Sequence, residues 1–212
     1  MQSMNEAQIQ EDIFELANHF TLSYQLIEKQ LEKDQIAELC LVAGKKAKDS
    51  TSYSLAASFL NVAKELLGEN SWSNNYQLTY KVLFELGECE YLNNNSELAE
   101  NYFKEVLAHS KTRFEKLQVY YLHSSLYLKM GNTNESLRLG LEAAKMYNIH
   151  LPKNKVAIQL STLLTMSKYL FLFSTRYKNP ESVFNLKDCN DEEIIALNKF
   201  LIDLATSAYQ QD

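Results

Sequence analysis

Small residues recur along this chain at a spacing that closely packed helices require. Ala56, Ala99 and Ser136 stand 43 and 37 residues apart, and twelve positions before each lies another small residue, Gly44, Gly87 or Ser124. Self-similarity at such a period marks supersecondary units that stack on one another. Four residues after each anchor come Leu60, Phe103 and Gly140, and seven after come Ala63, Val106 and Ala143. A position without a bulky side chain on one helix lets its partner approach closely. Each unit therefore reads as an antiparallel helical hairpin, closed by the polar turns YLNNNSEL in the second unit and LKMGNTNES in the third. Asn132 and Glu135 have the spacing of a capping box.

The rest of the chain is also helical in pattern. From Ile9 the apolar residues Ile13, Leu16, Ala17, Phe20, Tyr24 and Ile27 recur at steps of three and four, a single helical stripe. IAELCLVAGKKAK and DSTSYSLAASFLNVAKELLG follow as two helices, separated by the cap-like residues Asp49 to Ser52 and ended by Gly68. After Pro152 the residues Val156, Leu160, Leu163, Leu164, Ser167, Leu170 and Phe171 predict another helix, and a last one is expected over roughly 191–209. With 5 Gly and 2 Pro in 212 residues, the chain lacks the turn residues of a sandwich or barrel.

The stretch VLFELGECEYLNNNSELAENYFKEVL, with Leu86, Gly87, Ala99 and Phe103 in register, resembles the tetratricopeptide repeat. The flanking copies depart from it, with Leu60 for the aromatic in the first and Ser136 and Gly140 in the third. The resemblance implies an all-α fold, a right-handed stack of antiparallel helical hairpins forming an α-solenoid. Residues 1–31 then form an N-terminal helical segment, 32–150 three divergent hairpins, and 151–212 capping helices, since extra helices at an array's end cover its core face.

From about Asp12 onward, AELCLVAGKKAKDSTSY, SWSNNYQLTYKVLFELGECEYLNNNSELAENYF, LGLEAAKMYNIHLP and the NPESVFNL segment with DCNDEE are similar to the helical region of large bacterial signalling ATPases. Those chains join serine/threonine kinase, AAA-type ATPase and sensor histidine kinase modules. The resemblance implies a connecting scaffold between modules and carries no activity over to these residues.

Nothing in the sequence stands at catalytic spacing. AGKKAKDS lacks the upstream glycine that lets backbone amides wrap a phosphate, and kinase loop motifs are absent. The histidines His19, His109, His123 and His150 are single and distant, and Cys40, Cys89 and Cys189 form no ligand pair. Glu88 and Glu90 flank Cys89 and point apart on a helix, so they read as a solvated face. Lys45, Lys46 and Lys48 read the same way. We expect no enzyme activity, no cofactor and no metal. The net charge of −6 disfavours nucleic acid and anionic lipid as partners. The N-terminus has neither a basic start nor an apolar run, and the richest apolar stretch, Tyr169 to Phe173, is far shorter than the roughly 18 residues of a membrane span. A cytoplasmic location is expected.

The inner face of the array, built from first helices, is the candidate partner-binding groove. It comprises Lys45 in the first unit, Lys81, Phe84, Glu88 and Tyr91 in the second, and Gln118, Tyr121 and Ser125 in the third. Leu41, Phe84, Glu88, Tyr121 and Ser125 stand where repeats that clamp a C-terminal carboxylate carry Lys, Asn and Arg. The aromatics suit an amphipathic helix or apolar peptide, or contacts within the stack itself. The expected partner is protein, either neighbouring domains of a longer chain or, for a free-standing adaptor or regulator, a peptide in the groove.

Overall fold

A computed structural model describes residues 23–149 and 190–209, together with scattered positions between 15 and 20 and between 163 and 175. The described residues are helical and include no strand. The helices are α1 (Gln30–Asp49), α2 (Tyr53–Leu67), the single turn α3 (Ser71–Asn74), α4 (Tyr76–Leu92), α5 (Ser96–His109), α6 (Arg113–Lys129), α7 (Thr133–Met146) and α8 (Glu192–Tyr209). Two compact units divide between Leu126 and Tyr127, within α6.

In the first unit α1 packs on α2, α4 packs on α5, and α4 also contacts α1, α2 and α3. The small residues set how closely the pairs approach. A Cβ placed on Gly87 would stand 2.5 Å from Phe103 Cε1, and one on Gly44 would stand 2.7 Å from Leu60 Cγ and 3.3 Å from the Ala56 carbonyl. Leu60 and Phe103 retain no exposed surface. Burial of each contributes about 1.5–3 kcal/mol, so the glycine and its facing side chain form the contact at the centre of each pair. Helix α4 is enclosed by its neighbours, with Leu78, Val82, Leu83, Leu86 and Cys89 all buried.

The turn leaving α1, α4 and α6 has one geometry. Thr51, Asn94 and Gly131 adopt left-handed φ values of 60°, 64° and 75°. The next residue's N–H reaches back five positions, Ser52 to Ala47 O, Asn95 to Glu90 O and Asn132 to Tyr127 O, at 2.9, 2.8 and 2.9 Å. This closure satisfies carbonyls that the helix end would otherwise leave open. The following helix begins one residue later in every case, and Ala56, Ala99 and Ser136 donate to the carbonyls of Ser52, Asn95 and Asn132. Asn132 Oδ1 also accepts from the Glu135 N–H at 3.4 Å.

In the second unit α8 packs on α7. A Cβ on Gly140 would run into the Leu204 side chain. Phe200 and Leu204 are buried. Position 140, where the other two anchored helices carry Leu60 and Phe103, thus receives a side chain from the last helix instead.

The N-terminal stripe expected to run through Ile27 does not stay α-helical, because Tyr24–Leu26 form a 3-10 turn and Ile27 is extended. The expected helix after Pro152 and the residue Cys189 lie largely or wholly outside the described residues. Among the described residues no helix is long and apolar enough to cross a membrane.

Candidate functional site

Two side-chain clusters involve α4, and of the predicted groove positions Lys45, Phe84, Glu88 and Gln118 touch them. The first joins α4 to α1. Lys48 Nζ lies 2.5 Å from Glu85 Oε2 and 2.5 Å from Glu88 Oε2, while Lys45 Nζ lies 3.4 Å from Glu85 Oε1. The side chains of Glu85, Lys48 and Glu88 retain 10, 16 and 20% of their exposure. Burial alone would pull the Lys48 ammonium pKa down, but the bonds and charges of Glu85 and Glu88 outweigh it and hold the pKa above its ordinary value.

This cluster corrects two expectations. Lys48 is not on a solvated basic face, because Glu85 and Glu88 on the neighbouring helix enclose and neutralise it, whereas Lys45 stays exposed and reaches Glu85 from outside. Glu90 is not solvated either. It is 5% exposed, and its carboxylate accepts from Asn95 Nδ2 at 2.7 Å in the turn that closes α4. Both changes arise where α4 meets a neighbour, so that Glu85 and Glu90 face protein rather than water.

The second cluster starts at Trp72 on α3 and continues along α4 at four-residue steps, where side chains stand one above another. Trp72 and Tyr76 are 5.6 Å apart, Tyr76 and Tyr80 6.4 Å, and Tyr80 and Phe84 stack at 5.9 Å. His109 stacks on Trp72 at 4.4 Å. Glu115 ties this ladder to α6. Its Oε2 accepts from the Tyr76 hydroxyl at 2.8 Å and from the N–H groups of Lys111 and Thr112 at 2.8 and 3.0 Å. Thr112 Oγ1 accepts the Glu115 N–H at 3.0 Å, completing a reciprocal cap. Burial raises the Glu115 pKa, but the Thr112 amide, Tyr76 hydroxyl and Lys111 amide outweigh it and hold the carboxyl below its usual range. Burial, then Glu115, lifts the Tyr76 phenol.

The eight predicted groove residues therefore have different fates. Lys45 and Lys81 are exposed and Phe84 and Glu88 half-buried, with Lys45 and Glu88 drawn into the ion cluster. Gln118 is exposed, and its Oε1 lies 3.4 Å from the Tyr80 hydroxyl. Tyr121 and Ser125 are half-buried. Tyr91 does not present a free ring. It is 4% exposed and meets the buried His123 edge-on at 6.5 Å.

Sequence reasoning passed over Glu85 and Glu115. The available signals were two like-charged i, i+3 pairs of opposite sign, the cationic Lys45 with Lys48 and the anionic Glu85 with Glu88, and the capping pattern from Thr112 to Glu115. Among the described residues no group of three or more His, Cys, Asp or Glu side chains is placed to hold a metal ion. Both described cysteines, Cys40 and Cys89, are buried, and burial pushes their thiols up to about 12.

Over the described residues these features define an all-helical protein with ion-paired helix faces. No protein-family profile matches it, and no solved structure does. Over 152 residues it is 23% identical to the hybrid signal transduction histidine kinase G of Dictyostelium discoideum. That match takes in 68% of this chain and 4% of the kinase.

Proposed function

We propose that this chain is a non-catalytic protein-interaction and scaffold segment of a multidomain signal-transduction kinase or ATPase. In this reading it is a right-handed stack of divergent tetratricopeptide-type hairpins. The observation that carries the proposal is the similarity of most of the chain to a 4% portion of a hybrid histidine kinase. The turn repeated at Thr51, Asn94 and Gly131 supports the stacked reading. Helices that hold one another through ion pairs such as Lys48 with Glu85 and Glu88 suit a rigid spacer between modules.

The test is to read the complete coding sequence around this chain and express its other modules separately. A kinase or ATPase module in the same polypeptide, bound in trans by the purified chain, is the expected result. A reading frame without such a module would overturn the proposal.

The half-buried Phe84, next to exposed Lys81, favours a second reading as an adaptor that holds a peptide or helix against α4. A Phe84→Ala, Tyr121→Ala variant of unchanged helicity that loses a peptide ligand would support it.

A further inference from the structure

A cavity of about 490 Å³ opens on the first unit among the C-terminal end of α2, α3, α4 and α5. Its volume lies within the range of small-molecule sites, roughly 300–1,000 Å³. The apolar part of its wall comes from Leu67, Val82 and Leu83, which are 5, 0 and 2% exposed. Three carboxylates, Glu65, Glu69 and Glu105, also line it. None of the three is ion-paired among the described residues: Glu65 receives the Tyr24 hydroxyl and Glu105 Oε1 receives the Trp72 indole N–H at 3.0 Å. The one lysine at the cavity, Lys64, has its ammonium over the Tyr102 ring on α5, 5.0 Å from the centroid.

A further polar group faces this space. Ser71 lines the cavity and is 9% exposed, yet its hydroxyl has no hydrogen-bond partner among the described residues. A wall that is apolar below, carries an open hydroxyl and bears three carboxylates against one ammonium concentrates negative potential over a low-dielectric surface.

We propose that this cavity binds a small organic cation, a guanidinium or primary ammonium carried on a short apolar stem. The stem displaces water from Leu67, Val82 and Leu83. The cationic head meets Glu69 and Glu105, with Trp72 holding the Glu105 carboxylate in place and the Ser71 oxygen accepting a further N–H. A guanidinium is favoured over an ammonium, because its planar fork matches carboxylate oxygens in pairs. The inference is independent of any scaffold role.

Trp72 is the chain's single tryptophan, so its fluorescence reports occupancy. Butylguanidinium is titrated into the intact chain, with butylammonium, butanol and butyrate alongside. The expected result is one saturable change per chain for the two cations, guanidinium tighter, weakened by added salt, with butanol and butyrate at least about tenfold weaker. Glu69→Gln with Glu105→Gln keeps size and the acceptor for the indole, and should weaken butylguanidinium by at least about tenfold at unchanged helicity. The single Glu69→Gln variant, at an exposed position, should show part of that loss and is read instead if the double variant does not fold. An equal response to butanol, the absence of saturation, or unchanged affinity in the variants would overturn the proposal. A blocked Gly-Arg-Gly peptide binding more than about tenfold tighter than butylguanidinium would assign the cavity to a partner's side chain and overturn the small-ligand reading.

Discussion

Replacing Gly87 by alanine tests the packing of α4 on α5 at its closest point. The new methyl would meet Phe103 Cε1 at 2.5 Å, Cδ1 at 2.9 Å and Cζ at 3.1 Å, where carbon atoms normally settle about 3.5–4.0 Å apart. Phe103 is fully buried, so its ring cannot turn outward and either the ring or the helix must move by about 1 Å. Overpacking of this kind costs about 1–3 kcal/mol, and a clash with three ring atoms belongs at the upper end. Alanine in a helix interior returns about 1 kcal/mol over glycine. The net expectation is a loss of about 2 kcal/mol, or a fall in Tm of about 4–8 °C for a chain of this size. Thermal unfolding followed by far-ultraviolet circular dichroism measures it. A double-mutant cycle with Phe103→Ala assigns the loss to this pair, because removing the ring should cost less when alanine stands at 87, with a coupling of about 0.5–3 kcal/mol. A Gly87→Ala variant that is neutral, or more stable by the propensity gain alone, would refute the close approach of the two helices.

Lys48→Met leaves Glu85 and Glu88 facing each other without their shared cation, and should cost about 1–3 kcal/mol by urea unfolding at neutral pH. Because the Lys48 pKa is raised in the fold, its stabilisation is complete below the unfolded value of about 10.4 and lost as pH rises through the higher folded value. The gap between wild type and Lys48→Met should therefore stay constant from about pH 7 to 9, and a gap that closes in that range contradicts the assignment. For Glu115 the sign is opposite. Its pKa is lowered, so its contribution is present above the unfolded value of about 4.3 and lost as pH falls through the folded value. Glu115→Gln should lower stability by about 1 kcal/mol at pH 7, and the difference should shrink as the pH is taken below about 4.3. The buried thiols of Cys40 and Cys89, both pushed up to about 12, should resist a thiol reagent at pH 8 until the chain unfolds. Peptide mapping showing rapid native labelling of either would contradict their burial.

The helices and the closest contact of two pairs were legible in the sequence. Gly44 faces Leu60 and Gly87 faces Phe103, as the recurrence of small and large residues implied, because a missing Cβ and a bulky side chain constrain each other wherever two helices meet. The turns were legible too, since left-handed closure at Asn94 and Gly131 draws on residues that tolerate it. Thr51 shows the limit of that reading. A β-branched residue adopts the same geometry, imposed by the pairing of α1 with α2 and not by its own preference.

The polar site was far less legible. Glu85, Glu90 and Tyr91 look like surface or groove residues in one helix's pattern, yet all three are buried. A helix sequence states which residues share a face, but the number of faces covered is set by its neighbours, and α4 meets α1, α2, α3 and α5. The same limit applied to Gly140, where the side chain that fills the space, Leu204, comes from the last helix. By itself the sequence determined that this chain is helical, where its paired helices turn, and which small residues let two of those pairs close. The tertiary structure alone decided which charges were taken out of water and which side chains line the cavity beside Trp72, because desolvation and enclosure depend on surfaces that residues distant in the chain supply.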